Sequence, residues 1–191
     1  MKKIISTLLF CIFAATSFAA QKIMTVNIES IFKAYYKTSQ VENIIKKQAQ
    51  VYQNYLNKKM EEVKAIDKKF RTELDRAQNV TLSSKDRSQA AKNAEKYSSD
   101  IRVLRSEMKI YSDEKRKEMS NMTIKKRQEL MNEITSCIRK VAEGHGADFV
   151  FDVSGRTTQQ PPAVVYSKPS ADISSQVIQI LNKGNTPEKR N

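Results

Sequence analysis

The first glycine of the chain is Gly144 and the first proline is Pro161, so nothing before the C-terminal quarter interrupts a helix in the usual way. All four glycines (Gly144, Gly146, Gly155, Gly184) and all four prolines (Pro161, Pro162, Pro169, Pro187) follow that boundary in a chain of 191 residues. A sandwich, a many-stranded barrel or a doubly wound α/β sheet needs a turn every 8 to 15 residues or so, and this sequence offers none of them the punctuation. What remains is long helix with a small appended body.

The N-terminus reads as an export signal. Met1-Lys2-Lys3 is basic, Ile4 to Phe13 is apolar, and Ser17-Phe18-Ala19 supplies small residues at the two positions a signal peptidase reads, which predicts cleavage after Ala19. The apolar run is shorter than the roughly 20 residues of a membrane-spanning helix. Loss of Lys2 and Lys3 leaves 32 basic side chains against 21 acidic ones, from the 34 and 21 of the full chain. An exported basic protein meets little nucleic acid, so acidic polypeptides, acidic lipid and lipopolysaccharide head groups are the expected acidic partners. Cys137 is then the sole cysteine, and no disulfide framework supports the fold.

Hydropathy sets the order of elements. Lys22 to Glu29 alternates and is rich in β-branched residues, which predicts a strand; from Ser30 the period becomes helical. Val41, Ile44, Ile45, Val51, Tyr52, Tyr55, Leu56, Met60, Val63, Ile66, Phe70 and Leu74 mark one face of a long helix. Ser83 followed by Asp86 resembles a capping box that starts a second helix. There Ala90, Ala94, Tyr97, Ile101, Leu104, Met108 and Tyr111 form a heptad seam that falters at Lys115, resumes at Met119 and Met122, and runs to a stop at Gly144. Residues 86–143 would span on the order of 85 Å as one helix, too long for the inside of a compact domain. Residues 40–143 are therefore expected to form an antiparallel hairpin arm with its tip near residues 79–84.

Asp148 to Gly155 and Ala163 to Tyr166 read as two further strands separated by the polar loop 156–162; Ser170-Ala171-Asp172 caps a short helix bearing Ile173, Val177, Ile178, Ile180 and Leu181. The fold class is thus α+β, mostly α: a long antiparallel coiled-coil hairpin projecting from a small β-strand body. The expected organisation is signal peptide 1–19, body 20–39 and 144–183, arm 40–143, and disordered tail 184–191. The body is too small to stand alone as a monomer, so other subunits are expected to complete it.

No catalytic constellation is visible, and no enzyme activity, cofactor or metal is expected. His145 sits beside two glycines at a helix end, and Cys137 lies on an apolar helix side. A metal site would need His or Cys clusters that are absent, and the hairpin has no glycine for a phosphate loop. The informative surface is the hairpin. Its Tyr52, Tyr55, Met60, Phe70, Tyr97, Met108, Tyr111, Met119 and Met122 can pack helix on helix or adapt to many partners. Two helices share only one interface, so some apolar surface should remain exposed, with Tyr35, Tyr36, Ile45, Tyr55 and Ile124 off or beside the seam. Clusters such as Lys58-Lys59, Lys68-Lys69, Lys115-Arg116-Lys117 and Lys125-Lys126-Arg127 put the basic excess on the same helices.

The order of parts resembles the Skp/OmpH family of periplasmic chaperones: signal peptide, Lys22-Ile23, Val26-Asn27, Ile31-Phe32, charged hairpin, Gly146 to Asp152, Val164-Val165-Tyr166, then Asp172-Ile173-Ser174, Val177-Ile178 and Leu181. The resemblance implies a homotrimer whose β body joins the subunits and whose helical arms enclose unfolded outer-membrane proteins without ATP. The loop 156–162 is longer and more polar than the family's link, and no lipopolysaccharide-binding residues carry over. The leading expectation is a periplasmic holdase. Its candidate client-facing residues are Tyr52, Tyr55, Phe70, Tyr97, Met108 and Met119; its candidate assembly residues are Ile23, Val26, Ile28, Phe149, Phe151, Val164 and Val165. The rival is an exported coiled-coil adaptor that docks folded envelope partners. A basic nucleic-acid-binding coiled coil would require the signal peptide to be wrong.

Overall fold

The computed structural model describes residues 21–155 and 163–185. The expected signal peptide, the polar loop and all of the tail but Gly184 and Asn185 lie outside the described residues. The elements in chain order are β1 (Ile23–Val26), α1 (Ile28–Ala34), α2 (Tyr36–Gln78), α3 (Ser84–Gly144), β2 (Phe149–Asp152), a 3-10 turn (Pro169–Ala171) and α4 (Ser174–Leu181). They form two compact units, one of residues 21–35 with 133–185 and one of residues 36–132.

In the first unit β1 and β2 pair in parallel, Ile23 opposite Phe149 and Val26 opposite Asp152. Parallel strands cannot be joined by a tight turn. Here the connection is everything from Asn27 to Asp148, both long helices included. Alternation sorts the apolar side chains, while Thr25, on the face of Ile23, is buried as well. Met24 and Val26 turn inward and are buried with Ile31, Tyr35, Ile134, Cys137, Ile138, Val141, Ile173 and Val177, whereas Ile23, Phe149 and Phe151 face out.

Short polar side chains fasten the corners of this unit. The Lys22 backbone N–H donates to Asp148 Oδ2 (2.7 Å) while the Asp148 N–H donates to the Lys22 carbonyl (2.8 Å). Asn27 Oδ1 accepts from the Ser30 N–H (2.8 Å) and caps α1, and Asp152 Oδ1 takes the Ile28 N–H (3.1 Å). The Asn27 N–H reaches Ser174 Oγ (2.8 Å), whose own proton goes to Asp172 Oδ1 (2.5 Å). At the other end of α1 the Asn182 side-chain amide donates to the Ala34 carbonyl (2.9 Å).

Three sequence expectations need correction. The first strand ends at Val26 because Asn27 is a helix cap, so Ile28 belongs to α1. The helix expected from Ser30 is broken at Tyr35, which takes extended backbone (φ −71°, ψ 122°), is buried, and hydrogen-bonds Glu133 through its hydroxyl. Burial of that ring and hydroxyl supplies the break that glycine or proline would otherwise make. Finally, Ala163 to Tyr166 is not a strand: among the described residues the sheet has two strands, and the only further pairing of β1 is a bridge between Thr25 and Asp172.

The helix ends follow local chemistry. At the tip Asn79 Oδ1 accepts from the Thr81 N–H (2.9 Å) and hydroxyl (2.7 Å), which closes a turn without glycine. Ser83 Oγ accepts from the Asp86 N–H (3.1 Å) and donates to its carboxylate (2.6 Å), so the cap forms with the acidic side chain on the hydroxyl. Gly144 ends α3, and Gly146 takes the left-handed conformation that follows (φ 61°). Ala90, Ala94, Ile101, Leu130 and Ile134 are buried along α3 as the heptad pattern predicts.

Ile134 is fully buried and Ile124 is 65% exposed. Ile134→Ala is expected to lower the unfolding free energy by about 2–5 kcal/mol, and Ile124→Ala to leave it within about 0.5 kcal/mol. Urea unfolding followed by circular dichroism measures both.

Candidate functional site

The inward-facing positions of the hairpin advance by alternating steps of three and four, the period of a coiled-coil seam. Midway along, both helices break step. On α2 the inward positions Gln48, Tyr52 and Leu56 are four apart twice in succession, and so are Tyr111, Lys115 and Met119 on α3. Two consecutive fours convert seven residues into eleven and shift the seam around each helix. Because the two shifts face each other, the helices stay in contact.

A polar layer fills this level. The Tyr52 hydroxyl donates to Glu118 Oε1 (2.6 Å) and Lys115 Nζ donates to Glu118 Oε2 (2.6 Å). The same ammonium lies 5.1 Å from the Tyr52 ring centroid and 5.8 Å from that of Tyr111. Tyr52 meets Tyr111 edge-on at 6.3 Å, and Tyr55 leans on Tyr111 at 4.3 Å. The faltering heptad at Lys115 is thus a lysine held across two aromatic faces. The Lys115 and Tyr52 hydrogen bonds hold the Glu118 carboxyl below the usual carboxylate range, and the bond to Glu118 raises Lys115 and Tyr52. Nearer the tip the Asn93 amide donates to Glu73 Oε2 (3.1 Å) and lowers that carboxyl in turn.

Beside the seam lies apolar surface. Ile44, Val51 and Tyr55 each precede an inward position of α2 by one residue, which places them on one flank. Val103 and Ile110 follow inward positions of α3 by two, which places them on the flank that an antiparallel partner turns to the same side. All five are at least 42% exposed. Residues 36–132 also hold 23 of the chain's 34 Lys and Arg, against 14 of its 21 Asp and Glu. The hairpin therefore combines an exposed apolar stripe with most of the basic excess.

The sheet unit has an exposed apolar face of its own. Ile23, Phe149 and Phe151 are each about half exposed, and the two phenylalanine rings lie 6.4 Å apart. Beside them the extended segment 163–168 carries Val165 (83% exposed) and Tyr166 (79%).

Of the client-facing candidates, Tyr52 is buried in the polar layer, Tyr55 is exposed, and Phe70, Tyr97, Met108 and Met119 are half-buried along the seam. Of the assembly candidates, Ile23, Phe149, Phe151 and Val165 are exposed, Ile28 and Val164 half-buried, and Val26 lies in the chain's own core. Sequence reasoning missed Val103 and Ile110 altogether, although their seven-residue spacing beside the seam is a readable signal. Burial pushes the Cys137 thiol up, and His145 Nε2 is 2.6 Å from Gln176 Oε1. Among the described residues no His, Cys, Asp and Glu group could hold a metal ion, and no helix is long and apolar enough to cross a membrane.

The sign of the Glu118 effect follows from its lowered folded-state value. Its contribution is fully present above the ordinary glutamate range of about 4.3 and is lost as pH falls through the folded-state value. Wild type should therefore be more thermostable than Glu118→Gln at pH 7, and the two melting temperatures should converge below about pH 4. Thermal melts from pH 7 to pH 2.5 measure the convergence.

Comparison with known proteins fits this arrangement. Residues 22–181 match the family model described as outer membrane protein (OmpH-like). Among solved structures, a protein from Caulobacter crescentus CB15 described as OmpH-like shares the fold, with a TM-score of 0.66 at 13% identity over 91% of this chain and 90% of that one. No curated protein matches the sequence. With its two long helices, its small two-stranded sheet and a match that runs from β1 to the end of α4, the chain belongs to the OmpH-like family.

Proposed function

We propose that the protein is an ATP-independent holdase of the periplasm that binds unfolded outer-membrane proteins and prevents their aggregation. The observation that carries this reading is the exposed stripe of Ile44, Val51, Tyr55, Val103 and Ile110 on a hairpin that also holds most of the basic excess. Apolar side chains at intervals of four and seven residues offer many weak contacts. Such a surface suits an extended chain of varied sequence, because affinity accumulates from multiple sites. The lysines and arginines around it draw in acidic segments from a distance. Binding the unfolded chain lowers the concentration free to aggregate, and mass action needs no nucleotide. Acidic lipid or lipopolysaccharide head groups would meet the same basic surface.

Assembly follows from the sheet. A two-stranded sheet with an apolar outer face is marginal by itself, and a parallel pair is normally covered on both faces. We assign Ile23, Phe149, Phe151, Val164 and Val165 to contacts with other copies in a homotrimer. The resemblance to the Skp/OmpH chaperones and the exposure of these side chains support that assignment. Val26 is left out because its own core already uses it.

Native mass measurement of the mature protein, alone and with an outer-membrane barrel protein diluted from urea, tests the reading. A trimer that captures one unfolded barrel is expected. Val51→Asp with Ile110→Asp should retain helix content and lose at least tenfold in client protection, and Phe149→Asp with Phe151→Asp should give monomers. A wild-type protein that ignores the barrel and saturates on one folded envelope protein would instead establish an adaptor.

A further inference from the structure

The polar layer at Tyr52, Lys115 and Glu118 does something the apolar seam cannot. Ala90, Ala94, Leu104 and Met108 would pack against almost any helix of similar period, and copies held together by their sheets would place several such helices within reach. The layer, by contrast, is made of unlike halves. α2 brings the hydroxyl and ring of Tyr52; α3 brings the Glu118 carboxylate that accepts from that hydroxyl and the Lys115 ammonium, which bonds Glu118 and lies over both Tyr52 and α3's own Tyr111. Both helices also shift phase at this level.

We propose that this layer is a pairing-specificity device that makes α2 select α3 and excludes like-with-like pairing between copies of the chain. Two α3 helices aligned on their phase shifts would set Lys115 against Lys115 with no Tyr52 hydroxyl for either Glu118 carboxylate. Two α2 helices would oppose Tyr52 to Tyr52 with no carboxylate to take either hydroxyl. Each mismatch loses the hydrogen bond between the helices, and the α3 pair also brings two ammonium groups together, penalties that an apolar mismatch does not carry. This inference holds whatever number of copies assembles.

The test compares the mature wild-type chain with the variant Tyr52→Phe, Lys115→Leu, Glu118→Gln by native mass spectrometry and circular dichroism over the same concentration range. The variant is expected to keep its helix content and to populate assemblies larger than the wild-type complex, where wild type gives one mass. A variant with a single mass equal to that of wild type overturns the proposal, whether its melting temperature rises or falls. Should the triple variant fail to fold, Lys115→Met alone is read in the same way.

Discussion

Parallel pairing of Ile23–Val26 with Phe149–Asp152 governs the architecture. β1 and β2 run the same way, and the chain between them must leave the sheet and return to its starting edge. In an ordinary α/β unit a helix of a dozen residues makes that journey; here 61-residue α3 follows 43-residue α2. The hairpin is thus a crossover connection lengthened far beyond what the sheet requires. Within the sheet unit the start of α1 is fastened by Asn27 and Asp152, and the start of β2 by Asp148 on Lys22. Because those fasteners are short side chains bonded to backbone groups, the corners of the sheet unit are held without a large core.

Within the hairpin, packing and polarity divide the work. Small residues near the tip, Ala90 and Ala94, let the helices approach closely, while Ile101 and Val63 fill the seam farther along. At mid-length the seam changes character, with rings and a hydrogen-bonded triad in place of aliphatic knobs. The apolar groups left over, on one flank, are available to something other than the partner helix. Helix packing and exposed apolar surface thus occupy different columns of the same helices.

Much of this was legible before any coordinates. The absence of glycine and proline announced the long helices, and the heptads at Ala90 to Tyr111 gave the buried edge of α3. The end of α3 at Gly144 and the burial of Cys137 also follow from the sequence. The break at Tyr35 was hidden because its cause is tertiary: a tyrosine held in the core with Glu133, nearly a hundred residues away in sequence. Ala163 to Tyr166 has the composition of a strand, but a strand exists only with a neighbour, and none of this chain's own described residues provides one. Ile44 and Val51 read as part of the seam because a helical stripe is wide, and only geometry tells its centre from its flank. Lys115 read as a defect because the pattern of apolar residues carries no information about a cation lying on aromatic rings.

The ion pairs on the long helices carry a consequence for ionic strength. Lys59–Glu62, Lys64–Glu61, Arg71–Asp67, Arg76–Glu73, Lys115–Glu118, Arg116–Asp113 and Lys126–Glu129 each join residues three or four apart on one helix. None of these seven ties α2 to α3. Added salt screens exposed charges over a Debye length of about 10 Å at 0.1 M, and it leaves apolar packing intact. Raising the salt concentration should therefore weaken the pull of the basic surface on an acidic chain while the hairpin stays zipped, so attraction and architecture respond to different variables of the surrounding fluid.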